Sequence, residues 1–248
     1  MKWRIIELET CNAAMNMALD EVAGESVRNG SSRPTIRFYS YEPCAVSIGY
    51  FQGIKDEVNL DVCRELGIDC VRRFTGGGAV YHDSSGEITY CIAAPLNMFP
   101  KNIVESYRMV CGCIVRGLGT LGIAAQFRPV NDILVGNRKI SGSAQTRKGG
   151  VLIQHGTLLY DLDLGKMFSV LNVSRQKISD KMIKDAKERV TCILQHRDVD
   201  KREVYEALVR AFSDRKDFEF GEWSEDEMNR AAKLAVNKYR NDEWTYLR

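Results

Sequence analysis

Hydrophobic residues recur with a helical period in separate parts of the chain. Residues 14–29 place Met15, Leu19 and Val22 on one face, and Gly30 follows as a C-terminal stop. Residues 106–123 and 201–212 show the same spacing of apolar positions. The segment SEDE, residues 224–227, has the pattern of a capping box and predicts the start of a last helix.

Segments rich in β-branched and aromatic residues lie between these helices. TIRFYSYEPCAVSIGY, broken by Pro43, predicts two strands, and GIDCVRRF, GEITYCIAAPL and VLIQHGTLLYDL predict three more. DILV and RKIS flank Gly136 and Asn137, which predicts a hairpin with a two-residue turn. Strands with local hairpins between terminal helices favour an α+β fold. We expect one domain over residues 1–248.

Composition narrows the class of protein. The chain has 248 residues, 44% hydrophobic and 27% charged, with a net charge of +2. A charge this small does not predict a nucleic-acid partner. No signal peptide or stretch of roughly 20 apolar residues is found, so we expect a cytoplasmic protein without a membrane anchor. The eight cysteines contain no CxxC and mostly lie in apolar patterns, which favours buried reduced thiols over disulfides or zinc.

The segment RRFTGGGAVYHD, residues 72–83, is the first candidate site. Three glycines allow the backbone to approach a ligand closely, and guanidinium groups suit phosphate or carboxylate. A tight turn is the alternative for an isolated glycine run. The segment lacks the Gly-Lys-Ser/Thr of a Walker A loop and the spacing of GxGxxG, which excludes those two nucleotide motifs.

The hairpin and the strand after it hold the other candidates. Lys139 precedes Gly142 and Ala144, so its side chain could enter a pocket against bare backbone, although a solvated strand lysine is also common. Asn131 and Asp132 could hold Mg²⁺ or a phosphate, or belong to an ordinary turn. In QHGTLLYDLD, His155 beside a glycine predicts close packing against the strand, with a core histidine as the default interpretation.

The three motifs, in this order and spacing, resemble the lipoate–protein ligase family. The resemblance is strong over residues 35–163 and weaker through ERVT and the closing DEW. It implies a mixed, largely antiparallel sheet flanked by helices, as in biotin ligases and class II aminoacyl-tRNA synthetases. The chain departs from biotin ligases because TGGGAV replaces a basic GRGR loop.

The resemblance also implies roles for individual residues. Lys139 would be the catalytic residue that contacts both the acyl carbonyl and the phosphate. Gly142, Ala144 and His155 would line the lipoyl pocket, and Asp132 would lie near a metal ion. ATP or the acyl-adenylate would be bound by Arg72, Arg73, Gly76, Gly77, Gly78, Ala79, Val80, Tyr81, His82, Asn131 and Asp132.

The implied function is ATP- and Mg²⁺-dependent activation of lipoate, or of octanoate, followed by transfer to a lysine of an apo lipoyl domain. The acceptors would be 2-oxoacid dehydrogenase lipoyl domains or the glycine-cleavage carrier protein. Such ligases often carry a C-terminal accessory domain, which we expect here as a separate subunit; otherwise the chain would only transfer from a preformed adenylate. RKGG, KMIKDAKER and KREV are candidate acceptor contacts, although each of them taken singly is more typical of a solvated helix or loop face.

Two other functions remain open. Octanoyltransferases on this fold need no ATP and form a thioester on a cysteine paired with the equivalent of Lys139. Their thiol lies either just upstream of the hairpin or in the strand before His-Gly, but AAQFRPVNDILVGNRK and GGVLIQHG contain none. The transferase is therefore the second choice. A non-enzymatic protein that binds lipoate or an acyl-adenylate is the third.

Overall fold

A computed structural model describes residues 1–172 and 188–248 of the chain. Its strands are β1 (Trp3–Cys11), β2 (Thr35–Tyr41), β3 (Ala45–Ile48), β4 (Asp69–Arg72), β5 (Val80–His82), β6 (Glu87–Pro95), β7 (Ala125–Arg128), β8 (Asp132–Val135), β9 (Arg138–Lys148), β10 (Val151–Leu159) and β11 (Phe218–Phe220). Its α-helices are α1 (Ala13–Arg28), α2 (Ile54–Glu57), α3 (Leu60–Glu65), α4 (Ile103–Thr120), α5 (Leu164–Val170), α6 (Lys201–Ser213), α7 (Glu225–Leu234) and α8 (Asp242–Thr245). Most of KMIKDAKER, residues 181–187, lies outside the described residues.

The strands form two sheets. The large sheet has the order β11-β1-β2-β6-β10-β9-β8-β7, and the small one has the order β4-β3-β5. In the large sheet β1 pairs parallel with β2 and β11, while the other neighbours are antiparallel. The prediction of a mixed, largely antiparallel α+β fold is confirmed.

The large sheet is covered by helices on both faces. Along β2 the side chains alternate: Phe38 belongs to the core cluster under α4 and α6, and Tyr39 belongs to the one under α1 and α7. A third apolar cluster lies where the small sheet packs against α3 and α5. Residues on the α1 side of the large sheet therefore face the small sheet as well.

The local predictions agree with this architecture. Asn12 caps α1 through a 3.0 Å bond to the Met15 amide, and α1 ends just before Gly30. The predicted capping box is present, because Ser224 and Glu227 bond each other's backbone amides reciprocally. Gly136 has φ +60° at the turn between β8 and β9, as the hairpin prediction requires. No α-helix in the described ranges is long and apolar enough to cross a membrane.

Candidate functional site

A cavity of about 320 Å³ lies between the two sheets. This volume is at the lower end of the range for small-ligand pockets. The walls come from the glycine loop and β5 on one side and from β9 and β10 on the other, with contributions from α1, β2, β3 and α5. The lining residues are Met17, Tyr39, Tyr41, Ser47, Arg73, Gly77, Gly78, Ala79, Val80, Tyr81, His82, Thr89, Asn131, Lys139, Ser141, Gly142, Ser143, Ala144, His155, Gly156, Thr157, Leu159, Met167, Leu171 and Val190.

The glycine loop passes very close to the chain after β3. A Cβ atom on Gly49 would lie 2.0 Å from the carbonyl oxygen of Gly77, so no larger residue fits there without a shift of backbone. Gly77 itself has φ +103°, a conformation that L side chains rarely adopt. Both glycines are thus needed for the loop to lie flat against the small sheet and leave the cavity open.

Arg73 holds this loop from inside. Its guanidinium donates to the carbonyl oxygens of Gly76 and Gly78 at 3.0 and 2.7 Å, and to that of Ser47 at 3.1 Å. Burial lowers its pKa to about 10, so the group is still a cation at neutral pH. Within residues 1–172 and 188–248, Arg73 forms no ion pair with a carboxylate. The cavity wall therefore carries an uncompensated positive charge, which suits an electron-rich ligand.

Lys139 reaches the cavity because β9 contains a bulge. Ser141 pairs with Ile133 and Lys139 pairs with Leu134, so Ile140 has no partner of its own in the ladder. The extra residue turns Lys139 to the same side of the sheet as Gly142. A Cβ on Gly142 would lie 2.7 Å from Lys139 Cε and Nζ, so the lysine side chain lies over the bare glycine. This explains why a glycine stands at position 142.

The ammonium group of Lys139 is paired but accessible. Its Nζ lies 2.7 Å from Asp132 Oδ1, and 44% of the lysine side chain is exposed. Its backbone also bonds to the chain that follows the undescribed residues, through the Arg189 carbonyl and the Thr191 amide. A cation at this position can approach a ligand carbonyl or phosphate, with Asp132 setting its direction.

Two buried histidines complete the wall, and each bridges a carboxylate and a hydroxyl. His82 contacts Glu87 Oε1 at 2.7 Å through Nδ1 and Ser47 Oγ at 2.8 Å through Nε2. Its ring stacks on Tyr41 at 4.1 Å between centroids. We call Glu87, His82 and Ser47 the β5 relay.

The second bridge starts on α1. His155 contacts Asp20 Oδ2 at 2.8 Å through Nδ1 and Thr75 Oγ1 at 2.7 Å through Nε2. Burial alone would raise the pKa of Asp20, but the hydrogen bond from His155 and the charge of Arg37 outweigh it and lower that pKa. Asp20 is therefore an ionised acceptor, and His155 donates to it. We call Asp20, His155 and Thr75 the β10 relay.

Most of the residues expected from the sequence line this one cavity. They are Arg73, Gly77, Gly78, Ala79, Val80, Tyr81, His82, Asn131, Lys139, Gly142, Ala144 and His155. Gly76 and Asp132 are not in the wall, although Gly76 is held by Arg73 and Asp132 is paired with Lys139. The ligand roles of these residues stay predictions.

The structure corrects the prediction that Arg72 contacts ATP. The sequence placed it with Arg73 as an ATP contact, but its side chain turns away from the cavity. Each of its three nitrogens donates to backbone carbonyls, and the partners include those of Trp244 and Thr245 at 2.9 Å each. Neighbouring residues of a strand face opposite sides, which is the physical reason for the difference. Arg72 fastens the C-terminal segment instead of binding a ligand.

Several wall residues were missed by the sequence analysis. They are Met17, Tyr39, Tyr41, Ser47, Thr89, Ser141, Ser143, Gly156, Thr157, Leu159, Met167, Leu171 and Val190. Asp20, behind the wall, was missed as well: it is fully buried in α1, where a carboxylate is expensive without partners. A buried acid at such a position indicates a polar network on the facing strands.

No thiol lies in the cavity wall. All eight cysteines of the sequence are in the described residues, and all are free. None of them is among the lining residues. Burial raises the pKa of Cys111 to about 11 and that of Cys91 well above its ordinary value, so neither is poised as a thiolate.

The residues available for a magnesium ion are few. In the described ranges no three His, Cys, Asp or Glu side chains cluster as a metal site. Asp132 offers one carboxylate beside Lys139. Because Mg²⁺ in nucleotide sites is often held by one or two carboxylates together with substrate phosphates, this donor set fits an ion that arrives with a nucleotide.

With this geometry in place, comparison with known proteins identifies the family. A family model described as the lipoyl protein ligase A/B catalytic domain matches residues 12–213. The chain belongs to this family. The resemblance seen in the sequence is thus confirmed, and the matched residues contain the glycine loop and the lysine hairpin.

Relatives within the family carry two different names. Octanoyltransferase LipM of Clostridioides difficile (strain 630) is 34% identical, with 98% of each chain covered. That of Bacillus subtilis (strain 168) is 32% identical over 99% of this chain and 98% of its own. Among solved structures, a bi-partite lipoate protein ligase from Thermoplasma acidophilum is 35% identical, with a TM-score of 0.89 over 99% of this chain and 96% of its own. A lipoate-protein ligase A bound with ATP is 32% identical, with a TM-score of 0.87 and 99% of both chains covered.

The curated relatives support octanoyl transfer, the alternative in the sequence analysis, better than ATP-dependent ligation. Both groups of relatives are enzymes of protein lipoylation. The protein is therefore an enzyme of the lipoate ligase and octanoyltransferase family.

Proposed function

We propose that this protein transfers a medium-chain acyl group, octanoyl or lipoyl, to a lysine amine of a lipoyl domain. The acyl chain would occupy the cavity between the sheets, with its carbonyl near Lys139. A buried pocket of this kind protects an activated acyl group from water until the acceptor amine arrives. The observation that carries the proposal is Lys139 held over Gly142 at the cavity wall, paired with Asp132 and directed there by the bulge in β9.

Lys139 would stabilise negative charge as it develops on the substrate. When an amine attacks an activated carbonyl, the carbonyl oxygen becomes an oxyanion, and a preorganised cation near it lowers the barrier. The same ammonium can neutralise charge on a phosphate if the acyl group is activated as an adenylate. Asp132 would orient the lysine, and with phosphate oxygens it would hold Mg²⁺.

For the acyl donor, the cavity favours an ATP-derived acyl-adenylate. A transferase that forms a thioester needs its thiol within reach of the reacting carbonyl, and no cysteine belongs to the cavity wall. The glycine loop with Arg73, in contrast, offers backbone and positive charge for a nucleotide. The ATP-bound relative supports this choice by similarity.

The second candidate is ATP-independent octanoyl transfer from a thioester donor. The names of the curated relatives favour it, at identities as high as 34% over nearly the whole chain. In this case the acceptor amine would attack the donor thioester in the cavity, or a residue other than the expected cysteines would carry the acyl group.

The acceptor would be an apo lipoyl domain of a 2-oxoacid dehydrogenase or a glycine-cleavage carrier protein. Residues 1–248 would act as one catalytic domain, with the accessory domain supplied by a separate subunit. The bi-partite relative and its E2 lipoyl domain support both expectations. In the described part of the RKGG and KREV segments, Lys148 and Arg202 are exposed and could contact an acidic acceptor.

Intact-mass analysis of an apo lipoyl domain separates the candidates. The protein is mixed with the domain and supplied with lipoate and Mg-ATP, with preformed lipoyl-adenylate, or with octanoyl carrier protein without ATP. We expect a lipoyl mass gain from the adenylate, and from ATP either directly or once an accessory subunit is added. A gain only from the octanoyl carrier would establish the transferase. No gain from any donor, with the wild-type fold confirmed, would refute acyl transfer.

A further inference from the structure

The glycine loop is tied to buried carboxylates at two points. The β10 relay ends on Thr75, the residue immediately before Gly76, and the β5 relay ends on Ser47, which also bonds Arg73. These ties come from opposite walls: His155 belongs to the large sheet and His82 to the small one. The loop is thus fixed from both sheets at once.

The β10 relay has the stronger anchor. Asp20 is fully buried and accepts from Arg37 Nη1 at 3.0 Å and from the Tyr39 hydroxyl at 2.9 Å, in addition to His155. Because the carboxylate can only accept, the Nδ1 atom of His155 donates to it. In the neutral imidazole Nε2 then accepts from the Thr75 hydroxyl, which sets the rotamer of Thr75.

Thr75 transmits this arrangement to the backbone of the loop. The residue is 1% exposed, and its carbonyl accepts a 2.9 Å bond from the Tyr50 amide, across the chain that follows β3. Thr75 is not in the cavity wall, although His155 is. The threonine hydroxyl therefore does not contact a ligand in the cavity, and it can affect binding only by holding the loop in place.

The β5 relay acts on the same loop by way of Arg73. Glu87 is fully buried and is bonded by His82 and by the Thr89 hydroxyl at 2.9 Å. Ser47 Oγ lies 2.8 Å from His82 Nε2 and accepts from Arg73 Nη1 at 3.2 Å. The second guanidinium nitrogen of Arg73 then reaches the carbonyls on both sides of Gly77.

We propose that Thr75 and Ser47 are positioning residues for the acyl group. Each holds the glycine loop, at the end of a carboxylate–histidine relay, in the conformation that keeps the cavity open for the acyl chain. A hydroxyl buried in such a network has no water at hand to replace its hydrogen bond, so its loss leaves the histidine without a partner and loosens the loop. The proposal rests on the proposed function for the identity of the ligand, but not for the movement of the loop.

The test compares Thr75→Val, which keeps the shape and removes the hydroxyl, with Thr75→Ser, which keeps the hydroxyl. Ser47→Ala removes the other tie, and Ser213→Ala removes a hydroxyl in α6 that bonds only the backbone of its own helix. The first measurement is amide hydrogen exchange in the peptide covering residues 72–83, which requires no substrate. The second measurement is steady-state kinetics with the acyl donor that supports turnover, which gives KM for the acyl substrate and kcat separately.

We expect Thr75→Val and Ser47→Ala each to raise exchange in this peptide and KM about tenfold, the effect of losing one buried hydrogen bond, with little change in kcat. Thr75→Ser should match the wild type in both readouts, and Ser213→Ala should leave them unchanged. Unchanged exchange in Thr75→Val, or a Thr75→Ser variant as loose as the valine, would overturn the proposal.

One further outcome would show that Ser47 is a catalytic residue and not a positioning residue. An octanoyl mass on the Ser47 peptide after incubation with an octanoyl thioester would make this serine a nucleophile, with His82 taking its proton and returning it to the leaving thiol. If the wild type transfers no acyl group to any acceptor, the proposed function fails, and the exchange data still decide whether the relays hold the loop.

Discussion

Arg72 and Arg73 are neighbours in sequence, yet they serve two different regions of the molecule. Arg72 binds carbonyl oxygens of residues 49–52 and of Trp244 and Thr245, and we call this region the terminal clamp. Arg73 faces the cavity and holds the glycine loop. Both side chains are almost fully buried and neither forms a salt bridge among the described residues. Arg72 ends β4 and Arg73 follows it, so their side chains point to opposite sides of the small sheet.

The comparison shows that a buried arginine without a carboxylate partner can serve either stability or ligand binding. In the terminal clamp the cation is fully used by protein carbonyls, since five hydrogen bonds run from it to the backbone. At the cavity the cation stays next to open space. The first arrangement favours stability and the second favours binding, so substitutions in the two regions should affect different measurements.

The largest effect on stability should come from Arg72→Ala. The change leaves several buried carbonyls without donors, which we expect to lower the free energy of unfolding by about 3–5 kcal/mol. Chemical denaturation measures it. Acyl transfer per folded molecule should be nearly unchanged, and a variant that is stable but inactive would place Arg72 in the site after all.

Lys139→Ala should give the opposite result. The lysine side chain is 44% exposed, so its loss costs little packing, and the denaturation midpoint should stay close to that of the wild type. Loss of one preorganised cation at a reacting carbonyl should reduce acyl transfer by about 10²–10³-fold, or about 3–4 kcal/mol. Intact-mass kinetics with an apo lipoyl domain measures it. Substantial remaining activity would contradict the role given to Lys139.

Gly77→Val should lower binding by a smaller factor. The new Cβ would lie 2.8 Å from Arg73 Nη2 and the residue would need φ +103°, so the loop and the guanidinium that holds it must shift. We expect affinity for lipoate, measured by calorimetry, to fall by about tenfold or more, equivalent to the roughly 1–3 kcal/mol of a strained backbone position. The control is Gly30→Val, because Gly30 also has a positive φ but has open space around it. This variant shows how much affinity is lost through backbone strain and lower stability alone. Equal affinity in the two variants would mean that the loop is only a turn.

The smallest effect should come from Trp244→Phe in the terminal clamp. The indole Nε1 donates to the Arg72 carbonyl at 2.7 Å, and phenylalanine keeps the ring while it removes this bond. Thermal or chemical unfolding should show a loss of about 1 kcal/mol. Activity should not change, and a change in KM larger than that in stability would show that the clamp and the cavity are coupled.

The parts of the structure that depend on neighbouring residues were predictable. Helix α1, the capping box at Ser224 and the turn at Gly136 follow from patterns a few residues long. Most of the residues expected in the glycine loop and the lysine hairpin line the cavity, and they could be picked out because their chemistry is concentrated in short segments. Their arrangement around one cavity came from resemblance to a family rather than from spacing.

The remainder depends on contacts that are distant in sequence. Arg72 meets Trp244 across 172 positions, and Asp20 meets His155 across 135. No local pattern shows which of two adjacent arginines will face the end of the chain. The positions of Tyr39 and Ser47 in the cavity wall could not be predicted either, because they depend on how the two sheets pack against each other.

The bulge at Ile140 separates the position of a residue in the sequence from the face of the sheet on which it lies. In a regular strand, residues three positions apart point to opposite faces, so Lys139 and Gly142 would lie on opposite sides of the sheet without the extra residue. Counting alternate positions back from Gly142 would therefore assign the lysine to the face covered by α4. The extra residue, and not the residue types around it, puts the lysine side chain at the cavity.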